Sequence, residues 1–126
     1  MKRRITLFLT LVSGIGIGAA AMQGLHAQAR PKAYRVVEAE VLDAGAVATY
    51  NALIQAAIKA AGGHNFNTAG GKIIAFEGEP PKRVAITEWD TLEQAEAFVN
   101  SAAYKSLAPE RAKAAKIREY AVEATH

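Results

Sequence analysis

The chain is divided by a stretch that reads GGHNFNTAGGK and spans residues 62–72. It contains the glycine pairs Gly62-Gly63 and Gly70-Gly71, and it carries His64. The first pair follows a helical pattern and predicts the end of that helix, because glycine enters the left-handed conformation without a Cβ penalty. The second pair predicts a tight turn or a bulge. Strand and helix patterns precede the stretch, and strand, helix and strand patterns follow it, so we expect a pocket here.

The amino-terminal residues have the three parts of a signal peptide. A positive head at residues 1–4 precedes an apolar run at residues 5–12, and Ala27-Gln28-Ala29 supplies the small residues that signal peptidase requires. We expect cleavage after Ala29 or Ala27. The domain organisation is then a signal peptide at residues 1–29 and a single domain at residues 30–126.

An uncleaved membrane anchor is the alternative interpretation of this segment. Residues 5–22 approach the roughly 20 residues of a spanning helix, but Gly14, Gly16 and Gly18 weaken a helix there. Arg3-Arg4 also resembles a twin-arginine signal, although the residues that usually follow are missing. We therefore expect a periplasmic or secreted bacterial protein with no stable membrane anchor after cleavage.

Charge and cysteine content exclude some classes of protein. The chain has 15 lysines and arginines against 12 acidic residues, and removal of residues 1–29 would take three basic residues and leave 12 against 12. Without net charge the domain offers no basic patch for nucleic acid. There is no cysteine for disulfides. A domain of 97 residues after cleavage buries only a modest share of its surface, so we expect a homodimer.

Hydrophobic periodicity predicts the secondary structure on both sides of the glycine stretch. Before it we expect a strand at residues 33–42 and an amphipathic helix at residues 44–61 that Asp43 caps. After it we expect strands at residues 64–68, 72–77 and 82–89.

The carboxyl-terminal third continues with helix and strand. Thr91 and Gln94 fit a capping box that begins a helix. A further helical piece follows at residues 102–116, with a new turn at Pro109, and a strand at residues 117–124. The order indicates a ferredoxin-like βαββαβ unit of the α+β class, with helices on one face of an antiparallel sheet. The other face would be buried against a second copy.

Several residues along this pattern are typical of one family. They are Gly63, Gly70-Gly71, Glu77-Gly78, Pro81, Arg83, Glu88-Trp89, Ser101, Tyr104 and Arg111. The chain from about residue 34 to residue 124 resembles the family of domain of unknown function 1330. This resemblance implies the dimeric α/β-barrel superfamily, which includes cofactor-free monooxygenases, haem-degrading enzymes, muconolactone isomerases and ligand-binding modules. Members often carry Trp or Tyr near the end of the second helix, where this chain has Phe98-Val99-Asn100.

The candidate site residues are polar or aromatic side chains near the predicted sheet. His64 is the candidate catalytic base, although a lone histidine is more often a surface or capping residue. The candidate ligand-binding residues are Asn65, Asn67, Arg83, Glu88 and Trp89. The structural alternative is that the charged members form ion pairs, Arg83 with Glu38 or Arg111 with Glu88.

Three functions remain open at this point. The protein binds a small apolar or aromatic molecule, or it is a cofactor-independent monooxygenase or isomerase, or it is a structural dimerisation module without a ligand. No cofactor is expected, and no metal site, because cysteine and paired-histidine patterns are missing. The enzyme hypothesis requires His64 and Trp89 to line one cavity.

Overall fold

A computed structural model describes residues 30–125. The predicted signal peptide lies outside the described residues. The elements are strand β1 (Ala33–Val41), helix α1 (Ala44–Ala60), strand β2 (His64–Asn65), strand β3 (Arg83–Trp89), helices α2 (Leu92–Val99), α3 (Ala102–Lys105) and α4 (Ala108–Ala114), and strand β4 (Ala115–Glu123). No helix in this range is long and apolar enough to cross a membrane.

The four strands form one antiparallel sheet in the order β2-β3-β1-β4. β1 is central: Val36 lies opposite Ile86 of β3 on one side and opposite Tyr120 of β4 on the other. β2 adds two residues to the outer edge of β3. This is the ferredoxin-like α+β arrangement that the sequence predicts. Association of two such sheets stays a prediction.

The helices cover only one face of this sheet. Side chains alternate between the two faces along a strand, and the members on the helix side include Ala33, Arg35, Thr87 and Trp89, which are all buried. The core beneath the helices consists of Ile54, Ile58, Trp89, Ala95, Phe98 and Tyr104. The opposite face carries Tyr34, Val36, Glu38, Val84, Ile86, Glu88, Arg118, Tyr120 and Val122, and we call it the open face.

Side-chain caps begin the two main helices where the sequence predicts them. The Asp43 carboxylate accepts a hydrogen bond from the Ala46 amide at 2.9 Å. The Thr91 hydroxyl accepts one from the Gln94 amide at 3.1 Å. The Gln94 side chain accepts from the Asp90 amide at 3.0 Å and donates to the Ala61 carbonyl at 3.3 Å. Gln94 therefore links the start of α2 to the end of α1.

The strand predicted at residues 72–77 is not present, and the strand predicted at residues 64–68 is limited to two residues. The chain leaves the sheet at Asn67, which adopts a left-handed conformation with φ of 58°. Its amide donates to the Asn65 side chain at 2.9 Å, an arrangement that asparagine favours in turns. Beyond this turn the apolar segment has no strand to pair with, and Ile74 and Phe76 are 65% and 98% exposed.

The helical piece predicted at residues 102–116 is two short helices, and the last strand begins at Ala115 instead of residue 117. Pro109 lies in the first turn of α4, where its missing N–H group costs nothing. The interruption lies between α3 and α4, with Leu107 as the residue before α4. Arg111 of α4 contacts Tyr104 of α3 across this interruption.

Candidate functional site

A cavity of about 80 Å³ lies between the sheet and the helices α1 and α4. Its wall on the sheet side includes Val37, Ala85 and Ile117, and its wall on the helix side includes Val47 and Ile54. The remaining residues in contact with it are Arg35, Ala39, Tyr50, Asn51, Gln55, Ile58, Asn65, Ala69, Arg83, Thr87, Arg111, Ala114 and Ala115. The cavity is thus mainly apolar, with a limited number of polar side chains, as in small-molecule sites.

The charged side chains that line this cavity are all arginines. They are Arg35 on β1, Arg83 on β3 and Arg111 on α4, and no aspartate or glutamate lines the cavity. Arg35 is buried and has a carboxylate partner outside the cavity wall, since its Nε donates to Glu119 Oε1 at 2.7 Å. Within residues 30–125 neither Arg83 nor Arg111 has a carboxylate within ion-pair distance.

Arg111 is held in place by uncharged groups. Its Nε donates to the Tyr50 hydroxyl at 3.0 Å, and its Nη2 donates to the Tyr104 carbonyl at 3.0 Å. Its guanidinium also lies over the Tyr104 ring, with Cζ 3.9 Å from the ring centroid. These contacts fix the orientation of the cation without neutralising its charge.

The buried network beside the cavity is centred on Tyr104. Its hydroxyl donates to Glu119 Oε2, and Glu119 also accepts from Arg35. Burial, together with the hydrogen bond to the Glu119 carboxylate, raises the pKa of Tyr104 to about 12. Tyr104 therefore remains a neutral hydrogen-bond donor through the physiological pH range.

His64 lies away from the cavity. It is opposite Glu88 in the pairing of β2 with β3, so both side chains belong to the open face, whereas Asn65 is opposite Thr87 on the helix side. His64 is exposed, and its ring meets Phe66 edge-on with centroids 5.2 Å apart. Glu88 pairs with Lys32 at 2.8 Å, and this hydrogen bond lowers the pKa of Glu88.

Trp89 is a core residue beside the cavity, not part of its wall. It is 1% exposed, its Nε1 donates to Thr87 Oγ1 at 2.9 Å, and its ring packs against Phe98 with centroids 5.0 Å apart. His64 and Trp89 therefore lie on opposite faces of the sheet and do not enclose one substrate site. Of the predicted ligand-binding residues, the cavity brings together Asn65 and Arg83. Asn67 shapes the turn after β2 and lines, with His64 and Asn65, a separate open depression beside α1.

The ion pairs proposed from the sequence are replaced by others. Glu38 pairs with Arg118, not with Arg83, at 2.8 Å. Arg83 lies opposite Ala39 in the register and points to the helix side, whereas Glu38 belongs to the open face. Arg111 cannot meet Glu88 for the same reason, because α4 and Glu88 lie on different sides of the sheet.

Sequence reasoning missed Arg35, Tyr50 and Glu119 as parts of this region. The available signal was Arg35, which lies on the same side of the predicted strand as the apolar residues Val37 and Ala39. A charge on the buried side of a strand requires a partner. Within the described residues no three histidine, cysteine or acidic side chains gather as a metal site would require.

The fold and this cavity define a class: a small ferredoxin-like α+β domain with an arginine-containing cavity beneath its helices. The model of the family called Domain of unknown function (DUF1330) matches residues 32–125. The chain belongs to this family.

Two solved structures have the same fold. One is the RPA0582 protein of unknown function from Rhodopseudomonas palustris, a structural genomics target, with 14% sequence identity and a TM-score of 0.58 over 77% of this chain and 85% of that chain. The other is the methylated form of RPA0582, with 14% identity and a TM-score of 0.59 over 77% and 83% of the two chains. The comparison with curated proteins finds no match.

Proposed function

We propose that this protein binds a small molecule in the cavity between the sheet and the helices α1 and α4. The observation that carries the proposal is the cavity itself, whose apolar walls contain a few fixed polar groups such as Tyr50, Thr87 and Arg111. A purely structural module would need no such space, because protein interiors are normally packed without voids of this size.

A binding role fits the cavity better than catalysis. None of the residues that line it is a histidine, lysine, aspartate or glutamate, so it offers no ordinary general base. The predicted monooxygenase or isomerase would use His64 or Asn67 with Trp89. The sheet separates His64 from Trp89, and Asn67 is exposed in the turn after β2. The small volume also limits the ligand, since sites for drug-sized molecules measure roughly 300–1,000 Å³.

Filling the cavity tests the binding proposal. Ala85 lines it, so Ala85→Leu should occupy the space and abolish the thermal stabilisation that a panel of short aliphatic compounds gives the wild type. Ala48→Leu, on the exposed side of α1, is the matched control and should keep the stabilisation. If no compound in the panel stabilises the wild type, or if Ala85→Leu responds like the wild type, the proposed site is wrong.

We further propose that two copies associate through the open face. The face carries Val36, Ile86 and Val84 near its centre, and Tyr120 and Val122 are 45% and 55% exposed in the single chain. Exposed apolar surface of this kind marks interaction sites. Sedimentation of the purified protein over a range of concentrations tests the proposal, which predicts a dimer; a monomer throughout the range would contradict it.

Export is the remaining proposal, and it rests on the three-part pattern of residues 1–29. The protein recovered from the periplasm or the medium of an expressing bacterium should begin at residue 30, or at residue 28 if cleavage follows Ala27. Amino-terminal sequencing checks this. Recovery of a chain with residues 1–29 intact in the membrane fraction would instead indicate an anchor.

A further inference from the structure

We infer that the ligand of the cavity is an anion, specifically a compact monocarboxylate with an apolar body, that Arg111 and Arg83 bind. The inference rests on the proposed binding function and adds the chemical class of the ligand. Two observations support it: the charge balance of the cavity and the way in which Arg111 is held.

The side chains that line the cavity carry a net positive charge. Three arginines line it, and only Arg35 has a carboxylate partner among residues 30–125. Arg83 and Arg111 are both partly buried. A cation that loses part of its hydration without gaining a counter-charge destabilises the folded state. A ligand carboxylate would supply the missing charge, and arginine is the side chain best suited to bind one, because its N–H groups match the two carboxylate oxygens.

The contacts of Arg111 prepare it for such a ligand. Its Nε and Nη2 are used by the Tyr50 hydroxyl and the Tyr104 carbonyl, which leaves Nη1 without a protein acceptor among the described residues. Tyr50 accepts in this contact, so its own hydroxyl proton is available for donation. The two donors belong to adjacent groups that line one cavity. Their preorganisation lowers the entropic cost of binding.

A second set of donors lies on the sheet side of the cavity. Arg83 on β3 and Asn65 on β2 both line it. The Asn65 side-chain oxygen accepts from the Asn67 amide, and the Asn65 NH₂ group is a donor. The cavity thus presents donors and has no carboxylate that would repel an anion.

The apolar walls determine the remainder of the ligand. Val37, Val47, Ile54, Ala85 and Ile117 offer no hydrogen bonds, so an inorganic anion would leave them uncovered by apolar atoms. A hydrocarbon body covers them and gains free energy in proportion to the apolar area buried. The cavity of about 80 Å³ is smaller than the roughly 150 Å³ that holds a benzene ring. We therefore expect a short aliphatic monocarboxylate in preference to inorganic phosphate.

The test compares acids with their neutral counterparts. Isothermal titration and thermal shift are measured for the purified protein with acetate, propionate and butyrate, with the corresponding primary amides, and with inorganic phosphate. We expect the carboxylates to bind about tenfold more tightly than the amides, since a hydrogen bond to a charged group contributes on the order of this factor. We also expect phosphate to bind more weakly than the best carboxylate.

Variants of Arg83 identify the site without disturbing the packing around Tyr104. Arg83→Gln should weaken carboxylate binding about tenfold, and Arg83→Lys should retain part of it. Lys116→Gln removes the same charge from the other face of the sheet and should leave binding unchanged. Arg111→Lys is the second variant and should also weaken carboxylate binding, with circular dichroism to verify that it folds.

The possible outcomes separate the two proposals. Equal affinity for acids and amides, with both lost in Ala85→Leu, would overturn the anionic ligand and leave the binding function intact. Tighter binding of phosphate than of any carboxylate would overturn the monocarboxylate. Equal loss in Arg83→Gln and Lys116→Gln would indicate a general charge effect and overturn the assigned residues. Binding of no compound would overturn both proposals.

Discussion

Gly63 packs more closely than any other residue type would allow. A Cβ atom at this position would lie 2.7 Å from the Trp89 ring and 2.8 Å from the Ile58 side chain. Both neighbours are buried core residues, so neither can move aside freely. The absence of a side chain at Gly63 thus lets the end of α1 lie directly on the indole.

Substitution of Gly63 should therefore destabilise the domain. We expect Gly63→Ala to lower the free energy of unfolding by about 1–3 kcal/mol, the usual range for overpacking, as measured by urea denaturation. Gly70→Ala is the matched control, because nothing lies within 4 Å of a Cβ atom placed there. Equal stability of the two variants would show that the contact with Trp89 relaxes without cost.

Tyr104 should make stability depend on alkaline pH. Its pKa of about 12 in the folded chain exceeds the ordinary value of 10.0. Between these values the unfolded chain has lost the proton and the folded chain retains it, so the free energy of unfolding falls as pH rises. Below pH 10 Tyr104 is protonated in both states, and its contribution to the free energy of unfolding is fully present.

Urea denaturation between pH 8 and pH 11.5 measures this dependence. We expect a steeper decline for the wild type than for Tyr104→Phe, which has no proton to lose at this position. Tyr120, whose pKa the hydrogen bond to Glu38 also raises, is common to both proteins and cancels in the comparison. Parallel curves would contradict the assignment to Tyr104.

At the scale of elements, the sequence predicts the features that depend on neighbouring residues. It fails at one predicted strand, whose formation depends on pairing with distant residues. The cap residues Asp43 and Thr91 and the apolar stripe of α1 are encoded by neighbours in the chain, and they are found as predicted. The segment at residues 72–77 has a strand-like composition, but a strand requires a partner that the sequence does not specify. The arginines of the cavity could not be predicted for the same reason, because the pairing of β1 with β3 places Arg35 and Arg83, and the packing of α4 against the domain places Arg111.

The cap of α1 can be tested at this scale. Asp43→Ala removes the acceptor of the Ala46 amide and should lower the free energy of unfolding by about 1 kcal/mol, within the range of 0.5–2 kcal/mol measured for such caps. Asp43→Asn retains an acceptor and should lose only a small part of this. A loss in Asp43→Asn as large as in Asp43→Ala would point to the charge of Asp43 instead of its hydrogen bond.

For the whole molecule, the distribution of polar groups differs between the two faces of the sheet. On the helix side the arginines lie around a cavity, whereas on the open face Glu38 and Arg118 pair with each other. The hydrogen bond from Arg118 lowers the pKa of Glu38. The open face is thus an apolar centre with neutralised charges beside it, which suits contact with an identical face.

A charge at the centre of this face should prevent the proposed association. Val36 lies between Ile86 and Tyr120, and we expect Val36→Glu to sediment as a monomer under conditions in which the wild type is a dimer. Ala48→Glu introduces the same charge on the exposed side of α1 and should remain dimeric. A dimeric Val36→Glu with native circular dichroism would place the interface elsewhere.

The pairing of β1 with β4 brings the two ends of the folded domain together. Ala33 lies opposite Glu123, and the Ala124 amide donates to the Lys32 carbonyl at 2.8 Å. The central strand β1 is the first strand in the sequence, and one of its partners, β4, is the last. Folding must therefore bring together residues that are separated by nearly the whole length of the domain, which slows it. The same proximity means that a short linker could join these ends and new ends could be opened at Gly70, giving a circular permutant of unchanged topology.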